Sequence, residues 1–400
     1  MRFPKFTELD KEQRAIYIGA PSNESILVMG PPGTGKTVLA FFRAAELQKR
    51  HAKDKSQSTK PFVIMYNRTL KVYTSKREDG VASGVECATM NRWVWGWYKK
   101  AKGTAPPSRP GSKSNFDTDW DAMLGPLLEQ AISKPERVNW GHLIVDEGQD
   151  FPPGLYQTLS MLSGIISGPG GRPAVTVFAD DNQRLDERSN STLQQIEEAL
   201  SLKKDRVYRL KKNYRNSKQI AEFARHYYVG LRSGVPDLPA RVGPSKPKVV
   251  IASSFEVVRR RIADFVSARR QLDVGVLCPR EPERRKIFNS LSHRLQGSGV
   301  LVQTYSYASR DAHPAENLVF DKGGSVTVLN FQSSKGLEFD AVFIIDPFVS
   351  GAGAVDVQSR MQLYVMASRA RNHLELLLTN PPDDLTGFLP PEDLYEQAHE

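Results

Sequence analysis

Cysteine is almost absent. The 400 residues contain only Cys87 and Cys278, too few for a disulfide scaffold or a four-cysteine zinc site. Two reduced, buried thiols in a cytoplasmic chain are the expectation. No apolar run approaches the ~18 residues a membrane span needs. The opening residues Met1-Arg-Phe-Pro-Lys5 lead into Glu8, Asp10 and Glu12 rather than an apolar stretch, so no signal peptide is expected. Seven histidines are scattered, with no HExxH or similar spacing. A metal would have to arrive with a nucleotide.

What is present is an ordinary globular mixture, 40% hydrophobic and 25% charged. Four hundred residues suit two or three domains. The formal charge of +10 points weakly toward polyanion partners. It is unevenly spread. Residues 372–400 hold seven acids and no Lys or Arg, so the rest carries 55 basic against 38 acidic residues, a net +17. The acidic tail is expected to be free, to repel nucleic acid or to meet another protein.

Short apolar runs alternate with helical patterns. Residues 25–29 (SILVM), 62–66 (FVIMY), 142–145 (HLIV) and 174–178 (AVTVF) read as buried strands. A second series follows at 249–252, 274–278, 300–304, 326–330, 342–345 and 374–378. This order predicts an α/β chain with parallel sheets flanked by helices. Two sheets are expected, in domains of 1–203 and 204–400, with 99–139 as a short basic insertion. Residues 99–114 hold five basic and no acidic residues. No repeat is visible in the sequence itself.

The strongest chemical signal is Gly30-Pro-Pro-Gly-Thr-Gly-Lys-Thr37, which fits GxxxxGK[ST]. Gly30, Gly33 and Gly35 let the backbone wrap a phosphate, with the N–H groups around Thr34 pointing inward. The following helix adds its positive end. Lys36 reaches the β- and γ-phosphates and the Thr37 hydroxyl ligates Mg²⁺. The second signal is His142-Leu-Ile-Val-Asp-Glu-Gly-Gln-Asp150. A buried strand ending in two acids aims them at its carboxyl edge, where such folds bind nucleotide. Asp146 is placed to hold Mg²⁺ through water, and Glu147 to polarise an attacking water. A nucleoside triphosphate with Mg²⁺ is the expected ligand.

The Asp146–Asp150 box resembles the DExQD box of superfamily 1 helicases of the UvrD/Rep type. Further boxes resemble that family in order. Leu9-Asp-Lys-Glu-Gln13 is similar to its glutamine motif, which implies that Gln13 reads the adenine edge. Tyr66-Asn-Arg-Thr-Leu70 and Thr89-Met-Asn91 stand where strand-contacting boxes lie, implying Asn67, Arg68 and Thr89 as contacts. Ala179-Asp-Asp-Asn-Gln183 resembles GDxxQ, with Gln183 sensing the γ-phosphate. Asn213-Tyr-Arg215 implies Tyr214 against adenine and Arg215 on the γ-phosphate. Gln332-Ser-Ser-Lys-Gly-Leu-Glu-Phe-Asp340 implies Gly336 near phosphate, Glu338 near ribose, and Gln332 and Ser333 on the strand. Tyr364-Val-Met-Ala-Ser-Arg-Ala370 implies Arg369 as an arginine finger. The resemblance implies ATP between two RecA-like domains and a 3′→5′ motor on single-stranded DNA, with RNA the lesser variant.

Several departures stand out. Val38 replaces an arginine common near the base, Ala179 a glycine, and Ser368 a threonine. Residues 184–190 (RLDERSN) lack the aromatics that relatives stack on bases. Trp93-Val-Trp-Gly-Trp-Tyr98, followed by Lys99, Lys100 and Lys102, offers a replacement, although Trp93 and Trp97 at i, i+4 share one helix face and are expected in the core. Lys211 and Lys212 read as surface charge. The large insertions of relatives are minimal or absent. Two readings stay open: a DNA-stimulated motor, or an ATP-dependent conformational module working with a partner such as a nuclease.

Overall fold

A computed structural model describes residues 6–53, 60–66, 84–112, 117–166, 171–183, 190–347, 357–381, 385 and 387–400. The chain divides into two compact units. Gly35–Leu210, with the residues up to Gly30, forms the first; Lys211–Glu400, with Pro31–Thr34, forms the second. Each unit is an α/β body built on a parallel sheet flanked by helices, as the strand pattern predicts.

The first sheet has six strands: β1 (Ile26–Met29), β2 (Phe62–Met65), β3 (Glu86–Thr89), β4 (His142–Val145), β5 (Ala174–Ala179) and β6 (Val207–Arg209). Their order is β3-β2-β4-β5-β1-β6, with every pairing parallel. Residues of β1, β4 and β5 are all buried, because helices cover both faces of a parallel sheet. His142 fastens β4 at its start. Its Nδ1–H donates to the Ser22 carbonyl at 2.9 Å, and its Nε2 accepts from the Thr176 hydroxyl at 2.8 Å. Burial pulls its pKa down to about 3, so it stays neutral.

The second sheet has seven strands: β7 (Lys248–Ile251), β8 (Asp273–Cys278), β9 (Leu301–Tyr305), β10 (Ser325–Asn330), β11 (Phe339–Ile345), β12 (Ala370–Leu378) and β13 (Glu396–His399). The order is β13-β7-β12-β11-β8-β10-β9. Its core sets Val258, Ile262, Ile287 and Leu291 from two helices with Val274, Val276, Val326, Val328 and Phe343 from the strands. With β9 set aside, this order repeats that of the first sheet. β7 takes the place of β1, β12 of β5, β11 of β4, β8 of β2, β10 of β3, and β13 of β6. The repeat lies in topology alone, which is why the sequence does not show it.

Three expectations change. The division falls after Leu210 rather than at 203/204, because Leu27–Met29 pair with Val207–Arg209 and draw β6 into the first sheet. The 99–139 stretch is less an insertion than part of the core. Its helix Trp120–Ser133 buries Trp120, Met123, Leu127 and Ala131 against the first unit's hydrophobic cluster. The acidic tail is not free. Residues 396–399 pair with Lys248–Ile251 as β13. Lys248 meets Glu396 at 3.5 Å, and Arg261 bridges Glu375 and Glu400. Tyr395 is buried edge-on to Phe223. Asn67 and Arg68 lie outside the described residues.

Candidate nucleotide site

Because all six strands of the first sheet run in parallel, their carboxyl ends share one edge. β1 delivers the glycine-rich loop there, β4 delivers Asp146 and Glu147, and β5 delivers Asp180. Gly33 and Gly35 have φ of 83° and 85°, a left-handed backbone that only glycine adopts without strain. Lys36 opens the long helix Lys36–Lys53. Its ammonium donates to the Gly30 carbonyl at 2.6 Å and stands 3.7 Å from Asp180. Thr34 closes the loop by donating to the Pro31 carbonyl at 2.8 Å.

Asp146 is fully buried, and neither carboxylate oxygen has a hydrogen-bond partner. Burial pushes its pKa up to about 7 and the neighbouring Glu147 charge pushes the same way; Thr37 and Lys36 oppose them. The Thr37 hydroxyl is near enough to favour the charged form but outside hydrogen-bond geometry. A buried, unpartnered carboxylate beside a threonine hydroxyl is a fitting donor set for a hard divalent cation. Glu147 is also buried and has a left-handed backbone, φ 56°. A non-glycine residue held this way marks a position fixed by its surroundings. Gln149 does much of the fixing. Its amide nitrogen donates to Glu147 at 2.8 Å, and its amide oxygen accepts from the Asp180 backbone at 2.9 Å. Gly148 allows the close packing. A Cβ there would stand 2.3 Å from a Val177 methyl, and its carbonyl accepts from Tyr156 at 2.6 Å. Gln183 reaches this cluster through Asp180, donating to that carboxylate at 2.9 Å.

Gln13 sits beside the loop. A capping box with Asp10 fixes its short helix. Its amide nitrogen is 3.1 Å from where a Cβ on Gly35 would stand. Arg43 holds this segment in place. Its buried guanidinium donates to the carbonyls of Ile16, Ala20 and Pro21. Burial draws its pKa down to about 10, still well above neutrality. Arg43 carries no signal in the sequence, because its partners stand 22 to 27 residues away along the chain; Gln149 and Asp180 fall inside the two boxes read there, which leave their roles open. Arg43→Met is expected to weaken nucleotide binding several-fold while leaving Lys36 and Asp146 untouched. It should also cost about 1–3 kcal/mol of stability through the unsatisfied carbonyls. Titration with a fluorescent nucleotide and urea denaturation check the two effects.

The second unit holds its own cluster. Asn213 accepts from the backbone N–H of Arg215 and Asn216. Arg215 pairs with Glu338 at 2.7 Å and donates to the Ser368 carbonyl at 3.2 Å. Arg371 joins Glu338 at 2.5 Å and also meets Asp321 and Asp340 at 3.3 Å. Burial opposes ionisation of Glu338, yet positive charge including Arg215 and Arg371 holds its carboxyl well below the usual range. Glu338 is therefore engaged by two arginines where the resemblance implies a ribose. Arg369 is buried, with its guanidinium donating to the carbonyls of Val365 and Leu337. Gly336 has φ 79°. Tyr214 is exposed, with the Lys212 ammonium 5.1 Å from its ring centre. Gln332 and Ser333 form a short turn after β10, and Thr89 ends β3. Lys36, Thr37, Asp146 and Glu147 are thus brought together, with Gln13 and Gln183 close by. Arg215, Glu338 and Arg369 gather separately, within the second unit.

Residues 325–377, from β10 into β12, match the family described as UvrD-like helicase C-terminal domain. No match is found among curated proteins. Among solved structures, one similar chain is the C-terminal domain of a possible DNA helicase from Lactobacillus plantarum WCFS1. It is 21% identical with a TM-score of 0.33, over 46% of this chain and 97% of that one. The DUF1998 helicase MrfA bound to DNA is 12% identical with a TM-score of 0.48, over 93% of this chain and 46% of MrfA. Its complex with DNA and AMPPNP gives 10% and 0.48, over 93% and 48%. The chain spans just under half the length of MrfA. The matched segment carries the Gln332–Asp340 box and Arg369. Among the described residues, no helix is long and apolar enough to cross a membrane.

Proposed function

We propose that the chain is an ATP-driven motor on single-stranded DNA, a superfamily 1 translocase or helicase of UvrD-like type moving 3′→5′. The observation that carries the reading is the buried cluster of Lys36, Thr37, Asp146 and Glu147 at the end of the first sheet. Thr37 and Asp146 would hold Mg²⁺, which supplies neutralisation of phosphate charge when bound. Glu147 takes a proton from water as the water oxygen bonds to the γ-phosphorus and the bond to the ADP oxygen breaks. Lys36 steadies the phosphates, and Gln183 senses the terminal one. Gly30, Gly33, Thr34 and Gly35 line the phosphates, Gln13 and Tyr214 the adenine. Arg215 and Arg369 in this reading stabilise the charge that develops on the γ-phosphate.

The match of residues 325–377 to a helicase domain supports the same reading. The second reading, an ATP-dependent module for a partner such as a nuclease, draws support from residues 184–190, which carry no aromatic. One assay separates them: ATP hydrolysis with single-stranded DNA, duplex DNA, RNA or no nucleic acid. A several-fold rise with single-stranded DNA is expected. A rate that no nucleic acid changes would overturn the motor reading.

A further inference from the structure

We propose that Trp95 is a stacking platform for the bases of single-stranded DNA, with Arg92 and Lys99 as its phosphate contacts. The proposal rests on the motor reading and names where the strand is held on the first unit. The helix Met90–Lys102 starts directly from the carboxyl end of β3, an edge strand of the first sheet. That is the same edge that carries the glycine-rich loop and Asp146.

The helix sorts its three tryptophans. Trp97 is buried, edge-on to Trp140 and donating through Nε1 to the Val138 carbonyl at 2.8 Å. Trp93 stacks on Trp97 with ring centres 5.0 Å apart. Trp97 belongs to the core and Trp93 packs against it half-buried, as their i, i+4 spacing allows. Trp95 points the other way and keeps 44% of its surface exposed. The Lys99 ammonium stands 4.8 Å from its ring centre. A large flat ring half exposed, with a cation at its face, presents what a base and its phosphate require.

Charge selects the occupant. The helix has four basic residues and no acid. Lys102 meets Glu129 at 3.9 Å, and Lys100 donates to the Glu136 carbonyl at 3.4 Å. Among the described residues, Arg92 and Lys99 have no carboxylate partner. Positions 92, 95 and 99 follow i, i+3, i+7, so the two cations flank the indole on one exposed stripe. A base stacks on the ring whatever its identity, while Lys99 swings to the adjoining phosphate. A protein partner would need acids facing both cations and an apolar cover for one ring; a strand supplies both in every nucleotide.

The test uses the full chain and a labelled oligo-dT. A strand of the same length and charge but without bases serves beside it, both read by fluorescence anisotropy. Trp95→Ala is expected to weaken oligo-dT binding about 5- to 100-fold and leave the baseless strand unchanged. Trp95→Phe should recover most of the loss. Arg92→Ala with Lys99→Ala should weaken both strands and flatten the salt dependence. Unchanged oligo-dT binding by Trp95→Ala overturns the proposal and leaves the face to a protein. Equal loss on both strands also overturns it, since stacking requires a base. Failure of the unaltered chain to bind any strand sinks the motor reading itself, and the proposal with it. An RNA oligomer in parallel shows whether the platform distinguishes sugars.

Discussion

Glu147→Gln is expected to cut ATP turnover by about 10²- to 10⁴-fold while nucleotide still binds. The side chain is buried at the end of β4, and Gln149 donates to it from one side. The replacement keeps the shape and loses the proton acceptor. It also removes the charge that helps raise the pKa of Asp146. Asp146 then ionises more readily, so cation-dependent nucleotide binding should hold or tighten. Lys36→Ala behaves differently. It removes the ammonium beside Asp180 and Gly30 and should lower both binding and turnover. Measuring nucleotide affinity and hydrolysis on both variants separates the roles. Turnover of Glu147→Gln within tenfold of the parent would remove Glu147 as the base.

The second large effect lies at the edge of the second sheet. Deleting residues 395–400 is expected to destabilise the second unit by about 3–5 kcal/mol, the scale of losing one buried aromatic. Tyr395 leaves Phe223, β13 leaves β7, and Arg261 keeps only Glu375 of its two carboxylates. The bared edge of β7 also invites pairing between molecules. Denaturant unfolding and light scattering read the two consequences. A truncated chain as stable as the parent would show that β13 closes nothing.

The sequence makes central strands legible and three of the four edge strands obscure, β9 being read at 300–304. β1, β4 and β5 are buried on both faces and read as unbroken apolar runs. β3 (ECAT), β6 (VYR) and β13 (EQAH) have one neighbour each and are partly exposed, so their residues carry no such pattern. The tail shows as charge in the sequence, but its charges gave no sign of the pairing. The nucleotide cluster divides similarly. Lys36, Thr37, Asp146 and Glu147 sit in two contiguous strings whose spacing is itself the signal. Arg43, and Gln149 in its bond from the Asp180 backbone, act through partners brought near only by the fold. The i, i+4 spacing already sets Trp93 and Trp97 apart from Trp95 as a core face, and the helix bears that out.

The repeated sheet order has a consequence for how the chain folds. In each unit the first strand is flanked by the last: Leu27 pairs with Val207, and Lys248 with Glu396. Those partners lie 180 and 148 residues apart along the chain. Closing such spans costs loop entropy before any contact rewards it, and non-local parallel pairing is slow. Until β6 and β13 arrive, one side of β1 and of β7 stands open. The strand that leads into the glycine-rich loop is therefore among the last to be fully enclosed.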